Sequence, residues 1–428
     1  MASVAQSILA HNAGRDPERL RMKFKALRAD AFSFMRGTCA LFYQTLPADK
    51  LFRDAPAVPI CGDLHLENFG TYKGDNRLVY FDINDFDEAA LAPFTLDLVR
   101  FVASVRLAAK HLKYSSSQAV VLCRGFLDTY SEMIVDGKPR WVERSTATGR
   151  VRALLKGIKS RSRKEFLDDR APLSGKKRQL KIDGRKALPA SARQAQHVTH
   201  MLKIFAAGRD EKKFYRVLDI ARRIAGTGSL GLERYAVLVE GRGSPNGNFL
   251  LDLKIAPASS IAWLANQRQP KQPAWKSQAE RIVTMQRLIQ SIPTAHIAAL
   301  DNGDKSYVLK ELQPSFDRLN LQSWRGGPGI RPAPGLPPAG AGSEGLETLQ
   351  DIIHHIAQVG AWGHLRGCGR LGAASVEELG KFVGGAAWQA PLLKLAEKCT
   401  LRVLVQWKSY CDAYDAGELD YRTGDTVT

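Results

Sequence analysis

Nowhere in its 428 residues does the chain hold a run of about 18 apolar residues, so no transmembrane helix is expected. Its first residues, MASVAQSILAHNAGRDPERLRMKFK, lack a basic stretch followed by an apolar one, which argues against a secretory signal. Cysteine is sparse. Cys39, Cys61, Cys123, Cys368, Cys399 and Cys411 form no CxxC pair, too few for a disulfide scaffold and badly spaced for zinc. They are expected as reduced core residues of a cytoplasmic protein. Acid is in short supply: 43 Asp plus Glu against 62 Lys plus Arg leave a formal charge of +19. Such a surface attracts nucleic acid, anionic lipid or phosphorylated small molecules. Much of the excess lies between Arg144 and Arg193, where Phe166 is the lone aromatic. Without interleaved aromatics, binding of single-stranded nucleic acid is not expected, and this stretch reads as a solvated basic helix and loop.

Hydrophobic content of 44% and charged content of 25% suffice for a sizeable folded core. Residues 1–55 read mainly as helix, with Phe24, Leu27, Phe32, Phe34, Met35, Leu41 and Phe42 near helical spacing. VPICGDLHLENFG then leads into a hairpin whose turn is Lys73-Gly74-Asp75-Asn76 and whose second strand is Leu78–Phe81. FTLDLVRFVASVRLAAKHL and SSSQAVVLCRGFLDTYSEMIV are helix patterns, the second capped by Ser116 or Ser117. Between about 200 and 315, RVLDIARRI, LERYAVLVEG and NFLLDLKIA alternate as strands, followed by a helix, SQAERIVTMQRLIQSI, and the strand YVLKEL. Four segments follow: a helical lobe over 1–199, a small lobe over 200–322, a Gly/Pro-rich linker over 323–345 and closing helices over 346–428.

The densest chemistry lies in GDLHLENFG and YFDINDFDEA, which place Asp63, His65, Glu67, Asn68, Asp82, Asn84, Asp85, Asp87 and Glu88 within 26 positions. Crowding carboxylates inside strand-like sequence is costly unless a cation compensates them. Hard oxygen donors favour magnesium. The spacing suits phosphoryl transfer, in which an Asp receives the acceptor hydroxyl's proton, a nearby Asn holds metal and an Asp beyond the next hairpin bridges metal to phosphate. Asp63 is the candidate base, with His65 beside it, and Asn68 the candidate metal ligand. Asp85 is the preferred bridging ligand because Asp97, twelve residues on, then has the place of a helix aspartate that braces the catalytic loop. Asp82 is the close alternative, and both can bind metal.

AGTGSLGLERYAVLVEG carries Gly226, Gly228 and Gly231 in a GxGxxG pattern, a weak signal alone. A Rossmann site would need a helix after the glycines, whereas LERYAVLV alternates as a strand. A glycine turn between antiparallel strands is how kinases cover ATP phosphates. Lys254 on the next strand is the candidate phosphate ligand, and Glu280 on the following helix its ion-pair partner. His364, in AWGHLRG, reads as a hydrogen-bonded helix-end residue.

GDLHLENFG with FDINDFDEA, preceded by FSFMRGT and followed by APFTLDLVRFVASV, resembles the bacterial domain-of-unknown-function 2252 family. The likeness covers most of the chain and is strongest over residues 20–110. It implies a protein-kinase-like fold akin to aminoglycoside and choline phosphotransferases, whose HGDLHxxN-type loop usually has His where this chain has Cys61. Because the glycine turn and Lys254 follow the catalytic loop here, the expected architecture is α+β, two-lobed and circularly permuted. The expected activity is ATP- and magnesium-dependent phosphoryl transfer to a hydroxyl of an unidentified acceptor. Nucleotidyl transfer, nucleotide binding without turnover and metal-dependent hydrolysis are the alternatives.

Overall fold

The computed structural model describes residues 2–158, 161–261, 271–313, 317–319 and 343–419. Five short helices open the chain: α1 (Val4–His11), α2 (Pro17–Ala29), α3 (Ala31–Gly37), α4 (Cys39–Gln44) and α5 (Lys50–Asp54). Asp16 caps α2 through the Arg19 amide, and Pro17 at its first position supplies a preset φ. Strand β1 (Ala57–Ile60) pairs antiparallel with β4 (Ala90–Pro93), and between them lies the hairpin β2 (Phe69–Lys73) and β3 (Val79–Ile83). Thus the segments before Asp63 and after Glu88 are tied together.

Next come α6 (Thr95–His111) and α7 (Ser116–Asp136). Ser115, not Ser116 or Ser117, caps α7, in a reciprocal capping box with Gln118. The basic stretch is more structured than a helix and loop. Strand β5 (Val142–Glu143) leads into it, and it forms α8 (Gly149–Ile158), α9 (Arg163–Arg170), the small pair β6 (Leu173–Ser174) and β7 (Lys177–Arg178), and β8 (Ala187–Pro189). Helix α10 (Ala192–Ala207) and the one-turn 3-10 helix α11 (Lys212–Tyr215) follow, so the boundary expected at 199/200 falls inside a helix.

Strands β9 (Val217–Arg223), β10 (Arg234–Val239) and β11 (Phe249–Ile255), helix α12 (Gln278–Ile289), and strands β12 (Ala298–Asn302) and β13 (Lys305–Glu311) build the largest sheet. Its order is β12-β13-β11-β10-β9-β8, antiparallel throughout. Alternation decides its faces. Phe249, Leu251 and Leu253 of β11 share an apolar cluster with Val198, Met201 and Leu202 of α10. Asp252 and Lys254 occupy the opposite face, and Val308, the register partner of Lys254, joins the main core with Ile282 and Met285 of α12. The basic stretch adds Leu167, Leu180 and Ala187 to a third cluster with Ala236, Leu238 and Leu250.

Strand β14 (Asp317–Arg318) pairs with β2, giving the order β14-β2-β3-β5. Helices α13 (Ser343–Gly367), α14 (Val376–Gly384) and α15 (Gln389–Asp415) return to the first helices and share the main core with α6 and α7. Most of the expected 323–345 linker lies outside the described residues. The architecture is mixed α+β with several small sheets. Among the described residues no helix is long and apolar enough to cross a membrane, and none of the six cysteines is in a disulfide.

Candidate functional site

Asp63 sits in the tight segment after β1. Gly62 before it has φ +79°, and a Cβ there would lie 2.3 Å from the Glu88 carbonyl, so glycine is required. Asp97, fully buried in the first turn of α6, accepts both the Cys61 amide (2.9 Å) and the Gly62 amide (2.8 Å). His364 of α13 approaches the same carboxylate at 3.4 Å through Nε2, while its Nδ1 meets the Tyr130 hydroxyl at 2.7 Å. A buried acid is tolerated here because its oxygens are hydrogen-bonded. The geometry places Asp97 as a brace for the Asp63 loop.

The Asp63 carboxylate is held on one side. Arg100 of α6 reaches Oδ1 from Nε (2.7 Å) and also bonds the Met35 carbonyl (3.0 Å). Oδ2 faces His65, 3.9 Å from Nε2. Burial raises the Asp63 carboxyl above its ordinary range, against the opposing pull of Arg100. His65 is itself buried, and its Nδ1 accepts the Glu67 amide at 3.2 Å, which leaves the proton on Nε2 in the neutral ring.

Asn68 ties this loop to the second one. Its amide nitrogen donates to the Asp63 carbonyl (3.0 Å) and the Asp85 carbonyl (3.1 Å), and its oxygen accepts the Asp85 amide (2.9 Å). Asp85 thereby stands beside Asn68 at the cleft. Asp82 does not. Its carboxylate accepts the Ile83 amide (2.8 Å) and the Ser291 amide (3.1 Å) and lies 3.7 Å from Arg366. It is buried and does not line the cleft, whereas Asp85 does.

Lys254 also reaches this point. Its ammonium is 3.9 Å from Asp85 Oδ2 and makes a closer ion pair with Asp87. Burial and the neighbouring Asp85 raise the Asp87 carboxyl, with Lys254 opposing. The expected partner, Glu280, is elsewhere. It is the third residue of α12, where its amide donates to Ser277 Oγ and its carboxylate accepts the Lys276 amide at 2.6 Å. The neighbouring Arg281 is the α12 side chain that reaches the acidic loop, donating to the Ala89 (2.6 Å), Asp87 (2.8 Å) and Pro257 (2.9 Å) carbonyls.

The glycine segment joins β9 to β10, so a strand and not a helix follows it. Gly226 and Gly231 have φ of +72° and +88° and need glycine for conformation, whereas Gly228 has ordinary space around it. The turn is pinned from below. The Gly228 carbonyl accepts Arg15 (3.0 Å) and buried Lys23 (3.1 Å), and the Leu232 carbonyl accepts Arg19 (2.8 Å). Gly226, Thr227, Gly228 and Ser229 line one cleft with Asp63, Asn68, Asp85 and Asp87. Sequence reasoning placed Asp87 in the acidic cluster without giving it a role, and missed Arg100, Arg281 and Lys23. Of these three only Arg100 left a signal, as a lone cation within the apolar run LDLVRFVASV.

Among the described residues no three His, Cys, Asp or Glu side chains form a ready-made metal cage. Asp85, Asp87 and the Asn68 amide oxygen offer a smaller set of hard donors. That set suits magnesium, which usually takes one or two carboxylates and completes its shell with phosphate and water oxygens.

No curated protein and no solved structure matches the chain. A family model described as "Uncharacterized protein conserved in bacteria (DUF2252)" matches residues 15–331, which contain the Asp63–Glu88 segment, the glycine turn and Lys254; the chain belongs to that family.

Proposed function

We propose that the protein is an ATP- and magnesium-dependent phosphotransferase acting on a hydroxyl, built on a two-lobed, permuted kinase-like fold. The observation that carries this reading is the meeting of Lys254 with Asp85, 3.9 Å apart, where Asp85 lines one cleft with the glycine turn and the Asp63–Asn68 loop. A triphosphate clamped between a lysine and a metal-binding aspartate requires the two within roughly 10 Å, given metal–oxygen contacts of about 2 Å. The strand sequence gives further support: a hairpin with the glycines, a third strand with the lysine, a helix, then two strands of which the last lies beside the third.

In this reading Lys254 and the glycine-turn amides hold the phosphates. Asp85, Asp87 and Asn68 hold magnesium, which when bound neutralises the charge on the terminal phosphates. Asp63 Oδ2 orients the acceptor hydroxyl and takes its proton, while Arg100 fixes the carboxylate through Oδ1. Asp97 and Arg281 act by positioning the two loops. The acceptor's identity belongs to no motif in the chain.

The test supplies ATP labelled on the γ- or the α-phosphate, with magnesium and a pool of hydroxyl-bearing metabolites. Transfer of the γ-label, lost in Asp63→Asn while ATP binding persists, is the expected result. Transfer of the α-label would make the protein a nucleotidyl transferase. ATP binding without any transfer would make it a nucleotide-dependent regulator.

A further inference from the structure

A second cavity, of about 280 Å³, lies at the opposite end of β9 and β10 from the glycine turn. The seven residues of β9 alone separate the two ends by roughly 20 Å at about 3.3 Å per residue. Four arginines from four separate segments converge on it: Arg77 from the tip of the β2–β3 hairpin, Arg209 after α10, Arg242 in the β10–β11 turn and Arg287 in the last turn of α12. Asp75 is the one carboxylate in its lining.

The local charge is not cancelled. Glu311 accepts Arg77 (2.9 Å) and Arg163 (3.1 Å), so one buried carboxylate serves two guanidinium groups. Burial pushes the Arg163 guanidinium down against the pull of Glu311, and Arg77 and Arg242 add to it as like charges held close. Among the described residues, no ion pair engages Arg209, Arg242 or Arg287. Arg209 lies over the Phe205 ring at 4.1 Å, and Arg287 donates to the Ile297 carbonyl at 3.0 Å. Both groups are therefore steered by neutral partners and retain their charge for another.

The floor is built with similar care. His296 stacks on Phe214 at 5.0 Å, and its Nδ1 meets the Tyr215 hydroxyl at 3.2 Å. Four described residues other than glycine have positive φ, and two of them, Arg77 (66°) and His296 (59°), line this cavity. Strained backbone of this kind persists where surrounding structure over-determines it, often at ligand clamps.

We infer that this cavity is a binding site for a small anion carrying more than one negative charge, of the phosphate or pyrophosphate type, separate from the Lys254 cleft. Guanidinium forks suit phosphate oxygens better than ammonium groups do. The chemistry is common to a free phosphorylated metabolite and to a phosphorylated lipid headgroup. The cavity shares no lining residue with the cleft, so the inference stands whether or not the protein transfers phosphate.

Inorganic pyrophosphate is titrated calorimetrically into the full chain bearing Lys254→Ala, which removes the competing cleft lysine. Saturable binding is expected, weakened about tenfold or more by adding Arg242→Ala with Arg287→Ala, since each lost charged hydrogen bond is worth about a tenfold change or more. Arg185→Ala, an exposed cation outside the cavity, should leave it unchanged. A second arm compares sedimentation with vesicles of phosphatidylcholine alone and with 5% phosphoinositide. Arginine-dependent sedimentation assigns the lipid source, and its absence alongside pyrophosphate binding assigns the soluble one. No saturable binding, or binding that the two arginine changes leave intact, overturns the inference.

Discussion

At the scale of single residues, the two aspartates that sequence spacing left as rivals stand in different surroundings. Asp82 is buried against Ser291 and Arg366, whereas Asp85 stands at the cleft with Lys254. Asp85→Asn should abolish turnover with melting temperature nearly unchanged. Asp82→Asn should lower stability by about 1–3 kcal/mol, the cost of disturbing a buried polar network, and leave turnover per folded molecule intact. Measured together, the pair of variants separates chemistry from folding. Lys310 offers a pH test. Burial pushes its ammonium down from 10.5 to about 8, despite help from Asp252 and Asp85. The folded state then loses its proton first, so stability rises as pH climbs from about 8 to 10.5, and the charged form is a burden below that window. Lys310→Met should raise stability at pH 7 by at most roughly 3 kcal/mol, and this advantage should shrink by pH 9.5. An advantage constant with pH would contradict the account.

At the scale of elements, much was legible. The alternation of LERYAVLV and NFLLDLKIA fixed two central strands, and the glycines between antiparallel strands marked the turn. Asp97 was singled out by its spacing from Asp85, and its carboxylate holds the Cys61 and Gly62 amides. Glu280 misled because Ser277 and Glu280 form a helix-start pattern as readily as an ion-pair site, and local capping took the side chain. Arg281 and Lys23 were illegible because the carbonyls they hold at the cleft, of Ala89 and Asp87 and of Gly228, lie about 190 to 205 residues away. Strand β8 was hidden within the basic stretch, whose three paired residues carry no alternation of their own. The pinning of the glycine turn is testable at this scale. Lys23→Met fills the same buried space but removes the donor to the Gly228 carbonyl and to Asn12 Oδ1. Amide exchange over 226–232 should then accelerate about fivefold to tenfold, with Arg15 still in place. Unchanged exchange would mean that the turn holds itself.

At the scale of the whole molecule, the cleft is assembled from parts distant in sequence: α1–α3, the Asp63–Glu88 segment and the β9–β11 strands, backed by α6 and α13. The family match ends at residue 331, yet His364 on α13 touches Asp97. The C-terminal helices are thus part of the frame that positions the loop. The most direct test of the central claim is calorimetric titration of MgATP into the wild-type chain, Lys254→Ala, Asp85→Asn and Arg242→Ala. The account predicts a saturable site that depends on magnesium, is lost or weakened at least tenfold in the first two variants, and is unaltered in Arg242→Ala. No binding at millimolar MgATP, or binding that Lys254→Ala and Asp85→Asn leave untouched, would contradict it.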